Sequence, residues 1–195
     1  MTQTSLNNVS IRLLSGGHSF SSAVIDAVRN ATQPVEVTVI SAKSTLVPAE
    51  VFDSEHAEEF LHAVGHYPTY NECVVYSDAN EDTVAVMAMN AECYAKLTEA
   101  ATHGITFSSP LLNKEPMTRG CALHLEGDVL YVLVYDNGLR LAEAVECTND
   151  ADVLYYLATI GEVHDIYNMY ARVTGNTKCM MPCVKRLFKE YICEL

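Results

Sequence analysis

The feature that most constrains this chain is an order of elements that occurs twice. In the first half, Ser10–Leu14 and Phe20–Ile25 are short apolar-alternating runs around Ser15-Gly16-Gly17-His18. Paired glycines tolerate the positive φ of a tight turn, so a hairpin is predicted. Pro34 opens Val35–Ile40, β-branched almost throughout, as a third strand. Asp53 or Ser54 caps a helix carrying Ala57, Phe60, Leu61 and Val64 at helical spacing, and Gly65 stops it. Strands at Cys73–Tyr76 and Thr83–Met89, a helix capped by Asn90 and ended by Gly104, and a short strand at Ile105–Phe107 complete the half.

After Ser108–Arg119, which holds Pro110 and Pro116, the order begins again. Gly120–Leu125 and Val129–Tyr135 flank Glu126-Gly127-Asp128 as a second hairpin, and Asn137-Gly138 turns into a third strand, Leu139–Val145. Asn149 or Asp150 caps a helix with Val153, Leu154, Leu157 and Ile160 on one face and Gly161 beyond. Tyr167–Val173 is the next strand. Pro182 is expected at the start of a last helix, with Leu187, Phe188, Tyr191 and Ile192 as its buried stripe. The repeat is one of pattern, not of residues. Two α/β lobes follow, each a mixed sheet with packed helices, divided into residues 1–115 and 116–195 with a cleft between them.

Charge decides which partners suit such a cleft. Against 12 basic side chains stand 25 acidic ones, a formal charge of −13 over 195 residues, which repels phosphate backbones and argues against nucleic acid. No apolar run approaches the ~20 residues that span a bilayer, and the polar start from Met1 to Ser10 does not read as a secretory signal. Seven scattered cysteines fit reduced, mostly buried thiols of a cytoplasmic protein.

Other constellations have site-like spacing. Glu58, His62 and His66 have the spacing of a zinc face, but Gly65 interrupts the helix and the surrounding glutamates make an ordinary solvated face. No metal site is therefore expected. The gap between Cys179 and Cys183 is wrong for a redox pair, and strand alternation sends Cys121 and His124 to opposite faces. Lys178, Lys185, Arg186 and Lys189 gather in the last eighteen positions, either as a solvated helix face or as a contact for an acidic partner or another copy.

Several runs resemble an uncharacterised bacterial family, domain of unknown function 3822. They are Ser10-Ile11-Arg12-Leu13, Leu46-Val47-Pro48-Ala49-Glu50-Val51-Phe52-Asp53, Ser108-Ser109-Pro110-Leu111-Leu112, Tyr131–Gly138, Asp152–Leu157 and Val173-Thr174-Gly175. That family resembles in turn the actin-like ATPase superfamily, which implies a duplicated, ribonuclease H-like fold. Periodicity alone does not point there.

The resemblance also implies where ATP chemistry belongs. Active members hold Mg²⁺ through an aspartate on the first strand of each half and cradle phosphate with turn amides. Here Arg12 and His124 stand at those acidic positions. Ser15, Gly16, Gly17, Gly127 and Asp128 are the remnants of the phosphate turns, and Gly175 is what is left of a Gly-Gly adenosine motif. Gly16-Gly17 and Gly127-Asp128 are read in preference as plain hairpin turns, which are frequent in any β protein. The expectation is an actin-like protein without ATP hydrolysis or a bound cofactor, with enzyme activity left open but disfavoured by Arg12 and His124, that acts as a protein-interaction or scaffold module through a protein partner or self-association. The alternative is a nucleotide-binding enzyme with a remodelled phosphate and metal site built on Asp128.

Overall fold

The computed structural model describes residues 11–14, 22–79, 82–112 and 115–194. The chain opens with strand β1 (Ile11–Leu14), helix α1 (Ser22–Arg29) and strand β2 (Val35–Ile40). β1 runs parallel to β2, with Ile11 opposite Val37. Parallel neighbours need a crossover rather than a tight turn, and α1 lies within that crossover. This corrects the first expected hairpin: Ser22–Ile25, the described part of its second run, is helical and belongs to Ser22–Arg29. Val24, Ile25 and Val28 satisfy helical spacing as well as a β-prone reading, and the helix packs them against Val35 and Val37.

β3 (Ser44–Pro48) follows, a strand that was not expected from sequence. Asp53 accepts from the Glu55 N–H and caps a short 3-10 turn, Ser54–His56, which leads into α2 (Ala57–Ala63). Gly65, at φ 83°, ends it as expected. β4 (Glu72–Tyr76), β5 (Thr83–Asn90), α3 (Ala91–Ala100) and β6 (Ile105–Ser108) complete this half. The Asn90 side chain accepts from the Cys93 N–H as the α3 cap.

β1, β2 and β6 form one parallel sheet in the order β1-β2-β6, and β3-β5-β4 form an antiparallel one. A single bridge between Ser77 and Phe107 connects them. β5 is covered on both sides. Its Ala85, Met87 and Met89 pack with Val37 and Leu97, while Val84, Val86 and Ala88 pack with Leu61 of α2.

The second half follows the expected order. β7 (Arg119–Glu126) and β8 (Val129–Asp136) form the hairpin, and Asn137 and Gly138, at φ 51° and 121°, turn into β9 (Leu139–Glu146). α4 (Asp150–Val163), β10 (Tyr170–Gly175), α5 (Thr177–Leu187) and β11 (Glu190–Cys193) follow, and the sheet order is β11-β10-β7-β8-β9. The two halves therefore differ in strand order, and the order read twice in the sequence is realised in the second half.

Three details of this half are corrected. α4 runs through Gly161, which is small because the Tyr167 ring fills the place a Cβ would take. Pro182 sits inside α5 and not at its start, where it deprives the Lys178 carbonyl of its helical donor. Tyr191 and Ile192 belong to β11, paired parallel to β10, and are exposed rather than part of a buried helical stripe.

One face of the five-stranded sheet carries Leu123, Leu125, Val132 and Val134 against Val153, Leu157, Met180 and Val184 of α4 and α5. The other face meets the first half, where Val129, Tyr131 and Ala144 pack with Ile40 and Leu111. Among the described residues no helix is long and apolar enough to cross a membrane.

Candidate functional site

The face of β7 turned towards the first half carries His124. β7 and β10 are parallel neighbours with His124 opposite Thr174, so the two side chains emerge side by side. His124 Nδ1 lies 2.8 Å from Thr174 Oγ1, and Nε2 lies 3.1 Å from Glu126 Oε2. A carboxylate only accepts, so Nε2–H donates to Glu126, and in the neutral ring Nδ1 accepts from the Thr174 hydroxyl. Glu126 is two residues along the same strand and so on the same face. The position that the resemblance gives to a metal-holding carboxylate thus carries an imidazole held at both nitrogens.

Around it lies a cleft of about 390 Å³ between the two halves. β2 contributes Glu36 and Thr38, β6 contributes Ser108, the connector after it contributes Pro110, Leu112 and Glu115, and the five-stranded sheet contributes Ala122, His124, Glu126, Leu133, Arg172 and Thr174. The Arg172 guanidinium is gripped from two sides by one residue, 2.9 Å to Glu115 Oε2 and 2.6 Å to the Glu115 carbonyl. Among the described lining residues, four carboxylates (Glu36, Glu115, Glu126 and Glu194) share this space with one guanidinium. A polyphosphate meets net repulsion there.

At the end of the β7–β8 hairpin the structure gathers three of the residues singled out from sequence. Gly127 and Gly175 line one hollow with His124, Asn176 and Glu194. Asp128 and Gly127 line an adjoining hollow with Thr148, Asn149 and Asn176. Ser15, Gly16 and Gly17 lie outside the described residues, and the Arg12 backbone sits in β1 opposite Thr38. Gly175 is explained by packing: at φ 79° its missing Cβ makes room for the Leu125 carbonyl, which accepts from the Asn176 N–H at 2.7 Å. The N-terminus of α4 beside Asp128 is occupied by the chain's own groups. Asn149 Oδ1 accepts from the Ala151 and Asp152 N–H groups, and Asp152 Oδ2 accepts from Thr148 N and Oγ1, both at 2.8 Å. The Thr148 hydroxyl and amide hold the Asp152 carboxyl below its ordinary range.

The other constellations are not assembled. Among the described residues, no group of three or more His, Cys, Asp or Glu side chains is arranged to hold a metal ion. His62 lies 3.3 Å from Glu58, while His66 falls beyond the helix, its N–H bonded to the Leu61 carbonyl. Partial burial, with the Lys43 charge nearby, pushes the His66 pKa down. Cys121 points into the core away from His124, and burial pushes its thiol up to about 12. The sequence reading missed the Arg172–Glu115 clamp and the Thr174 partner of His124. Glu126, expected in the hairpin turn, is the last residue of β7, and strand alternation is the sequence signal that puts it on the His124 face.

A family model described as "Protein of unknown function (DUF3822)" matches residues 26–168. A crystal structure from Bacteroides thetaiotaomicron, of a protein described as having an actin-like ATPase fold and unknown function, superposes with a TM-score of 0.71 at 16% identity, covering 95% of this chain and 89% of that one. The cytoplasmic domain of EpsL, an inner membrane component of the type II secretion system of Vibrio cholerae, gives 0.44 at 12% identity over 95% and 84%. An AlfA filament bound to AMPPNP gives 0.45 at 14% identity over 89% and 57%. No curated protein matches.

Proposed function

The chain belongs to the DUF3822 family of unknown function and has an actin-like ATPase type of fold, and from these premises we propose that it binds a protein partner without hydrolysing ATP. In this reading residues 116–195 form a ribonuclease H-like lobe, residues 1–115 form its remodelled counterpart, and the cleft between them is a contact surface. The protein serves as a scaffold or interaction module in the cytoplasm, a compartment that suits its reduced cysteines.

The observation that carries the reading is His124. Phosphoryl transfer depends on metal positioning and charge stabilisation. An imidazole tied to Thr174 and Glu126 supplies no carboxylate for the metal, and the surrounding glutamates oppose the phosphates.

Calorimetric titration with ATP and Mg²⁺, alongside phosphate release, tests this. The expected outcome is neither micromolar binding nor turnover. Sustained phosphate release by the unmodified chain overturns it. A second reading, a nucleotide enzyme with a remodelled site, is favoured by one observation: Gly127, Gly175 and Asn176 share a hollow beside Asp128. Turnover that disappears in Asp128→Asn would establish that reading instead.

A further inference from the structure

The cleft at His124 is one compartment of a longer groove. A second compartment of about 750 Å³ lies between the antiparallel sheet and the β8–β9 turn. The two share Glu36, Ser108, Leu112 and Leu133 along their walls, so they form one path between the halves. Its apolar lining includes Leu46, Phe107, Leu112, Leu133 and Leu139. Leu133 is buried with Ala122 and Tyr135 in a small cluster on that face of the sheet.

Among the described residues along this path, carboxylates outnumber cationic side chains. In the second compartment the ionic side chains are Glu36, Asp78 and Asp82, with no Lys, Arg or His among the described lining residues. Among the described lining residues of the first, the one guanidinium is Arg172, gripped by Glu115. Apolar walls with carboxylates at both ends select against nucleotides and other anions, and they complement a chain that alternates cationic and apolar side chains. A small cation satisfies the charge but leaves the apolar length unfilled, whereas an extended segment satisfies both.

We infer that the groove between the two halves binds an extended basic segment of a partner protein, its Lys or Arg side chains directed to Asp78, Asp82 and Glu194 and its apolar side chains lying along Phe107, Leu112 and Leu139. This deepens the proposed function and rests on the reading of the cleft as a contact surface.

The test is fluorescence anisotropy with a labelled octapeptide of alternating arginine and leucine. Counterparts carrying glutamate for arginine, or glycine for leucine, are the controls. The arginine-leucine peptide is expected to bind about tenfold more tightly than either control, and to weaken as salt rises. The variant Asp78→Asn/Asp82→Asn/Glu194→Gln is expected to lose about tenfold in affinity. Glu55→Gln/Glu58→Gln/Glu59→Gln, which removes the same charge from the exposed start of α2, should stay within about twofold. Equal losses in both variants would mean general attraction to an acidic chain and overturn the inference, as would the absence of binding. All six substituted side chains are on exposed residues, so the fold is expected to survive. Phosphate release on the same preparation separates the two proposals: turnover with intact peptide binding overturns the non-hydrolysing reading alone, whereas neither turnover nor binding overturns the groove alone.

Discussion

The phenol of Tyr131 closes the joint between the two halves by accepting a hydrogen bond from the backbone N–H of Ser41, 2.8 Å away and ninety positions earlier in the chain. Tyr131 lies on β8 and Ser41 just after β2, and both are fully buried. The ring packs with Ile40 and Leu111, and burial pushes the phenol pKa well up, with the Ser41 N–H offsetting a part. The contact fixes how the five-stranded sheet sits on the first half, and so the width of the cleft around His124.

Tyr131→Phe keeps the ring and removes the acceptor, leaving the Ser41 N–H buried without this partner. The expected cost is about 1–3 kcal/mol, with a Tm lower by about 2–4 °C per kcal/mol for a chain of this size. Thermal unfolding followed by circular dichroism reads it. A Tm equal to that of the unmodified chain would mean the joint is held by packing alone.

Gly175 offers a sharper comparison because its role in packing is separable from any nucleotide. Its Cβ position is taken by the Leu125 carbonyl, whereas a Cβ on Gly65, also at positive φ, meets nothing within 4 Å. Gly65→Ala is expected to cost about 1 kcal/mol, the conformational penalty alone. Gly175→Ala adds a clash with the backbone where β10 pairs with β7 and is expected to cost at least about 2 kcal/mol more. Urea midpoints of the two variants decide it, and equal midpoints would remove the packing explanation.

What the sequence made legible was local. Asn137-Gly138, the Asn90 and Asn149 caps and the Val35–Ile40 strand depend on neighbours a few residues away. The run Phe20–Ile25 is ambiguous in sequence because Val24 and Ile25, with Val28 beyond them, suit either period, and only the parallel pairing of β1 with β2 selects the helix Ser22–Arg29. Gly161 looked like a helix end because the ring it accommodates, Tyr167, becomes its neighbour only in the fold. The same holds at the site. His124 was located by its place in the hairpin, but Thr174 reaches it only through the β7–β10 register, fifty positions apart. Arg172 and Glu115 meet across fifty-seven.

Acid should act on the link between Lys43 and Glu72. Burial alone raises the Glu72 pKa, but the Lys43 ammonium at 2.6 Å and the Thr69 N–H at 2.7 Å outweigh it and hold the carboxyl below its ordinary 4.5. A depressed folded-state pKa means the contribution is fully present above the unfolded-state value and is lost as pH falls through the folded one. Glu72→Gln is therefore expected to be less stable than the unmodified chain at neutral pH. The gap should close on acidification between about pH 5 and pH 3. Urea midpoints across that range measure it, and a gap independent of pH would assign the effect to packing rather than to charge.

Thiol chemistry gives the last test, on the core beneath the site. Cys121 and Cys147 are 0% and 4% exposed, and burial pushes both thiols up to about 12. At about pH 8 almost no thiolate is present at either position, and neither sulfur is open to a reagent. Cys193 lies half-buried on the edge strand β11. Iodoacetamide followed by mass spectrometry is expected to modify Cys193 in the folded protein, while Cys121 and Cys147 remain unmodified until denaturant is added. Cys121 sits on β7 three residues before His124 and on the opposite face, so its labelling reports opening of the sheet that carries the site. If Cys121 reacts in native buffer as fast as Cys193, then β7 is not the rigid support that the His124–Thr174 contact requires.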